Sequence, residues 1–165
     1  MFDTIHHIAI IGSDYEKSKH FYVDLLWFEI IRENYRKERD DYKIDLACGK
    51  QEIELFIIKD APARVNYPEA LGLRHLAFKV KSVDDTVKEL NAKGIATEPV
   101  RLDDYTGKKM TFFHDPDGLP LEIHEWLVVI YRVIDCRSKI SETIYVFDLL
   151  ETEIFMDTKC KKKVA

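Results

Sequence analysis

The chain has 165 residues, enough for one compact domain or two small modules with a real core. With 46% hydrophobic and 33% charged residues it is not a disordered chain, and no apolar run approaches the length of a membrane span. The net charge is −5 and the basic residues are scattered, which argues against nucleic acid as a partner.

The opening "TIHHIAIIGSD" predicts a strand over 5–12, rich in β-branched and apolar residues. Asp14 then caps a helix of about 12 residues, "DYEKSKHFYVDLL", with Tyr15, Tyr22, Leu25 and Leu26 on roughly one face. Three strand-like runs follow, "FEIIRENY", "YKIDLAC" and "EIELFII", with Gly49-Lys50 as the turn between the last two. The segment 59–73, opening "KDAPARVNYPEALG", reads as a linker. After it come "HLAFKV", a helix from Ser82 to Lys93 closed by Gly94, and the strands "IATEPVRL", "KMTFFHD" and "LPLEIHEW". A "DPDG" turn at 115–118 separates the last two.

Residues 127–165 contain neither Gly nor Pro, and Ile144, Phe147, Leu150 and Ile154 recur at helical spacing. The pattern predicts an amphipathic helix from about 140 to 157 in a partly helical C-terminal extension, covering a sheet edge or supporting a dimer contact. The three cysteines, Cys48, Cys136 and Cys160, form no CxxC pair, and the N-terminus carries neither a basic n-region nor a small-residue cleavage site. Reduced thiols and a cytoplasmic location are expected.

The first 126 residues contain one unit twice. A shift of 68 residues lays "HIAI" at 7–10 on "HLAF" at 75–78, and "IELF" at 53–56 on "LEIH" at 121–124. Helix N-cap residues stand at matching places, Asp14 and Ser82. The expected fold is therefore α+β, two βαβββ modules in tandem over 4–58 and 74–126, with curved sheets around a cleft.

The same shift selects side chains. Strand residues alternate faces, so His6 and His7 cannot both point the same way. The repeat picks His7, because its counterpart His75 follows Arg74 rather than a second histidine. It likewise picks Glu54 over Glu52, since Glu54 matches Glu122 and Glu52 matches Pro120. These glutamates stand among apolar neighbours, where an unpaired carboxylate is costly. Two imidazoles and two carboxylates, brought together by packing of the modules, suit one divalent ion such as Zn²⁺, Ni²⁺, Fe²⁺, Mn²⁺ or Co²⁺.

At these residues the sequence resembles the vicinal oxygen chelate superfamily, and within it the glyoxalase I-like branch. "HHIAIIGSDYEKSKHFYVDLLWFE" is similar to the family's opening, where a ligand histidine precedes a helix with an "SxxFY"-like element. "FFHDPDGLPLEIHE" is similar to its closing signature, where the turn precedes the last ligand glutamate. The resemblance implies a glyoxalase/bleomycin-resistance-type fold over 1–126, with His7, Glu54, His75 and Glu122 as metal ligands. It further implies a lyase of lactoylglutathione lyase type, isomerising the hemithioacetal of a 2-oxoaldehyde through an enediolate. Glu122, or Glu54 by pseudo-symmetry, would carry the proton. The extradiol dioxygenase and fosfomycin branches use two His and one Glu, which leaves Glu54 unexplained, and the epimerase pattern needs a glutamine where Glu54 stands. Epimerisation, thiol transfer, dioxygenation and non-catalytic drug binding stay open as alternatives.

Phe56, His124 and Phe112 are expected to wall the pocket. Arg36, Arg39 and Lys43 in the first module, with Arg101, Tyr105, Lys108 and Lys109 in the second, are expected to hold an anionic substrate by charge-assisted bonds. The expected partners are a small-molecule substrate, with or without a thiol cosubstrate, and a second copy of the chain, because relatives pair these modules within one chain or between two.

Overall fold

The computed structural model describes residues 4–126 throughout, and the backbone of 129–133, 143–148 and 151–155. Strand β1 (His7–Gly12) leads into α1 (Tyr15–Lys19), which continues as a π-helical turn, His20–Leu25. Strands β2 (Glu29–Arg36), β3 (Asp41–Cys48) and β4 (Gln51–Ile57) complete the first module. The second repeats the order with β5 (Leu76–Val80), α2 (Val83–Ala92), β6 (Arg101–Leu102), β7 (Lys109–His114) and β8 (Pro120–Glu125). Both helices start as their sequences dictate. The Asp14 carboxylate accepts from the Lys17 amide at 2.9 Å, and the Ser82 hydroxyl accepts from the Asp85 amide at 3.2 Å.

Each module makes a four-stranded mixed sheet, β1-β4-β3-β2 and β5-β8-β7-β6. In both, the first strand runs parallel to the last, pairing Ala9 with Glu54 and Ala77 with Glu122. The duplication read from the sequence is thus a duplication in register. Alternation then sorts the faces. Ile53, Leu55 and Ile57 of β4, with Leu121 and Ile123 of β8, are buried in the core alongside Tyr22, Ile44, Leu46, Val83 and Phe113. Each such aliphatic side chain contributes roughly 1.5–3 kcal/mol by leaving water. The intervening residues, Glu52, Glu54 and Phe56 or Glu122 and His124, therefore face away from that core. Gly12 ends β1 where the chain passes close to α1; a Cβ there would lie 2.5 Å from Ser18 Oγ.

The DPDG turn joins the modules. The buried Asp115 carboxylate accepts from Tyr22 OH at 2.8 Å, and from the Leu119 and Asp117 amides at 2.7 and 3.0 Å. Asp117 accepts from the amide and hydroxyl of Ser13. Burial pushes the Asp115 carboxyl and the Tyr22 phenol above their ordinary values.

Three expectations are corrected. In "IATEPVRL" only Arg101–Leu102 forms a strand. Pro99 has no N–H to donate, and Glu98 is instead held through its amide on Phe112 O at 2.8 Å and its carbonyl under Thr111 Oγ1 at 2.8 Å. Where a helix is expected over about 140–157, the backbone forms strands β10 (Thr143–Asp148) and β11 (Glu151–Phe155), which with β9 (Val129–Val133) make a third sheet, β11-β10-β9. The run "TIYVF" is β-branched and aromatic throughout, and that propensity outweighs the helical spacing of four apolar residues. The rest of the predicted helix lies outside the described residues. His6 is corrected below. Among the described residues no helix is long and apolar enough to cross a membrane.

Candidate metal centre

Each module presents a histidine at the start of its first strand and a glutamate in its last. His7 Nε2 lies 3.7 Å from Glu54 Oε2, and His75 Nε2 lies 2.9 Å from Glu122 Oε2. The parallel pairing of first and last strands places these side chains together, so each pair follows from its own module. His6, expected to point away from His7, meets it instead: the two Nδ1 atoms are 3.0 Å apart. His6 precedes β1, so strand alternation does not bind it.

The two pairs differ in their surroundings. On the first sheet, register sets Asp45 beside Glu54 and Lys43 beside Phe56. Lys43 Nζ stands 2.7 Å from both Glu54 Oε1 and Asp45 Oδ1, and Arg32 reaches Asp45 at 2.7 Å and Glu52 at 3.3 Å. Burial alone would raise the Asp45 carboxyl, but hydrogen bonds from Lys43 and Arg32 hold it below the ordinary carboxylate range. On the second sheet the corresponding neighbours are apolar: Phe112 lies beside Glu122, and Met110 beside His124. Strand β7 is matched to β3 by a shift of 67 rather than 68, which is why Phe112 stands opposite Asp45's place in the repeat.

His75 is held by Glu122 through Nε2 and by an edge-on contact with the Phe112 ring, centroids 5.2 Å apart. Its Nδ1 is buried with no hydrogen-bond partner among the described residues, which leaves that nitrogen open to an ion or a water. Two imidazole nitrogens and two carboxylates match the donor chemistry of a divalent transition ion.

The four side chains do not meet within one chain. Among the described residues the donor atoms that gather within 4.8 Å of one another are those of Asp45, Glu52 and Glu54. There Lys43 and Arg32 already supply the positive charge, so the group is a salt-bridge network. Bringing all four within reach of one ion would require modules to pair between two chains, the second arrangement expected from the sequence.

The residues expected to bind substrate are dispersed. Arg36 is taken up by a two-pronged pair with Asp41 and lies 4.8 Å over the Phe56 ring. Lys108 sits in the turn from β6 to β7, its amide donating to Thr106 Oγ1. His124 Nδ1 contacts the carbonyl of Glu125 at 2.8 Å, while Phe112 stands directly at the second pair. Sequence reasoning missed Arg64 and Arg74, which with Phe112 and Arg101 line a cavity beside His75. Arg74 precedes His75 in the sequence, and that adjacency was the available signal. It also missed Asp45, whose signal is parity with Lys43 on β3, and Arg32, which the register of β2 sets beside Asp45.

The family model described as Glyoxalase/Bleomycin resistance protein/Dioxygenase superfamily matches residues 4–123. Uncharacterized protein YwkD of Bacillus subtilis is 61% identical over 123 residues, which are 74% of this chain and 96% of that protein. The crystal structure of the glyoxalase family protein from Enterococcus faecalis superposes with a TM-score of 0.73 at 60% identity, covering 75% of this chain and 98% of that one. Metallothiol transferase FosB of Staphylococcus saprophyticus is 29% identical over 127 residues, covering 75% of this chain and 78% of that protein.

Proposed function

Because this chain belongs to the Glyoxalase/Bleomycin resistance protein/Dioxygenase superfamily, we propose that it is a metal-dependent lyase of glyoxalase I type. Its substrate would be small with neighbouring oxygens, such as the hemithioacetal of a 2-oxoaldehyde. The observation that carries this reading is the recurrence of one His–Glu pair in register on both sheets, His7 with Glu54 and His75 with Glu122. The two pairs would hold one divalent ion across a homodimer, each site taking the first pair from one chain and the second from its partner. A divalent ion bound there supplies positive charge where oxyanion character develops on the substrate.

The chain's own residues would do the rest. Glu122, 8% exposed and paired with His75, takes the proton from one carbon and returns it to the next. Glu54, hydrogen-bonded by Lys43 and facing His7, serves as a ligand. Phe112 packs edge-on against His75 and holds its ring in line with Glu122. Metal analysis of protein purified without chelator, followed by assay with methylglyoxal and several thiols, tests site and reaction together. Metal in stoichiometric amount with isomerase turnover is expected. Metal without turnover would favour thiol transfer to a small electrophile, the reading that the likeness to FosB supports.

A further inference from the structure

We propose that the cavity beside His75 is an anion subsite that takes the carboxylate, phosphate or phosphonate head of a small substrate. The inference deepens the reading above and rests on the same site. The cavity measures about 240 Å³ and borders His75, Phe112, Arg64, Arg74 and Arg101. That is below the roughly 300–1,000 Å³ of pockets that enclose drug-sized ligands, so it suits a compact head group.

Its cations are held in place. Arg101 comes from β6 and lies over the Phe112 ring, 5.1 Å from guanidinium carbon to centroid, and that ring in turn meets His75. A guanidinium stacked on an aromatic face keeps its N–H groups in plane, the arrangement that grips an oxyanion. Arg64 comes from the linker. Its Nε donates to Asn66 Oδ1 at 2.8 Å, and its Nη2 donates to the carbonyls of Leu73 and, at 2.8 Å, Arg74. Those carbonyls lead directly into His75, so the same arginine fixes the chain before the histidine and lines the cavity.

The counter-charge is incomplete. Glu69 pairs with Arg74 at 2.8 Å and Glu98 with Arg101 at 3.3 Å, leaving three guanidinium groups against two carboxylates. Each arginine presents five donors, more than these contacts use. The expected substrate head is therefore an anion placed within one ring's width of the His75–Glu122 pair.

The test uses chelator-treated protein, so that it does not depend on metal. Inorganic phosphate and acetate are titrated separately while the His75 ring resonances are followed by NMR. A saturable shift is expected with one or both, and the tighter of the two distinguishes a tetrahedral head from a carboxylate. Arg101→Met should weaken that binding at least about tenfold, as loss of a charge-assisted contact does. Arg101→Lys should restore part of it, and Lys88→Met, on the exposed face of α2, should leave it unchanged. No shift with either anion at tens of millimolar overturns the proposal, and so does a shift that Arg101→Met retains in full. Anion binding by a protein that never takes up metal would remove the lyase reading and leave the subsite standing. Metal uptake without anion binding would do the reverse.

Discussion

Lys43 Nζ and Glu54 Oε1 are 2.7 Å apart, while the matching place beside Glu122 is filled by the ring of Phe112 and the side chain of Met110. The duplication therefore supplies two His–Glu pairs of different character. Glu54 already has a cation, and among the described residues Glu122 is paired with His75.

That difference predicts competition. An ion drawing on Glu54 has to share its carboxylate with the Lys43 ammonium, whose proton is held on by hydrogen bonds to Asp45 and Glu54 despite the opposing effect of burial. Lys43→Met should tighten Co²⁺ or Zn²⁺ binding roughly three- to tenfold, the net scale of one ordinary hydrogen bond. Isothermal titration of wild type and variant reads this directly. Weaker binding in Lys43→Met would mean that the lysine supports the ligand instead.

Glu122→Gln keeps the shape of the second pair and removes the base. Turnover should fall at least about 10²-fold, the lower range for loss of a general base, with the fold unchanged by circular dichroism. Glu54→Gln should instead weaken metal uptake. Near-normal turnover of a metal-loaded Glu122→Gln protein would take Glu122 out of the proton transfer.

The inter-module clamp predicts a stability cost and a pH signature. Asp115→Ala strips the partners of Tyr22 OH and of the Leu119 and Asp117 amides, and should cost about 2–4 kcal/mol in chemical denaturation. The folded-state pKa of Asp115 is raised above its ordinary 3.8 by burial. Between those two values the native state binds the extra proton, so the contribution of this group is full below 3.8 and lost as pH rises through the raised value. Asp115→Asn should abolish that segment of the pH profile. A wild-type profile that keeps its slope in the Asn variant would assign the titration elsewhere.

The fold of residues 4–126 was legible because the repeat imposes two independent readings on every element. His7 needed His75 to be told from His6, and Glu54 needed Glu122 to be told from Glu52. What the repeat could not give was contact across elements. Arg64 stands in a linker with no counterpart in the other copy, yet its guanidinium reaches the residues before His75. Asp115 reads as a turn former and is also the acceptor for Tyr22, 93 residues earlier. The 140–157 segment had no second copy to check it, and there a four-residue helical spacing outvoted a β-branched run that the backbone follows instead.

The proposed metal site is built from two chains. His7→Ala and His75→Ala proteins, each expected to be inactive and metal-poor, should be unfolded together and refolded as a mixture. Half the resulting dimers pair one variant with the other, and each of these regains one complete set of His7, Glu54, His75 and Glu122. Recovery of about a quarter of wild-type metal content and activity is the predicted result. A mixture that stays as empty and inactive as its parents would contradict it.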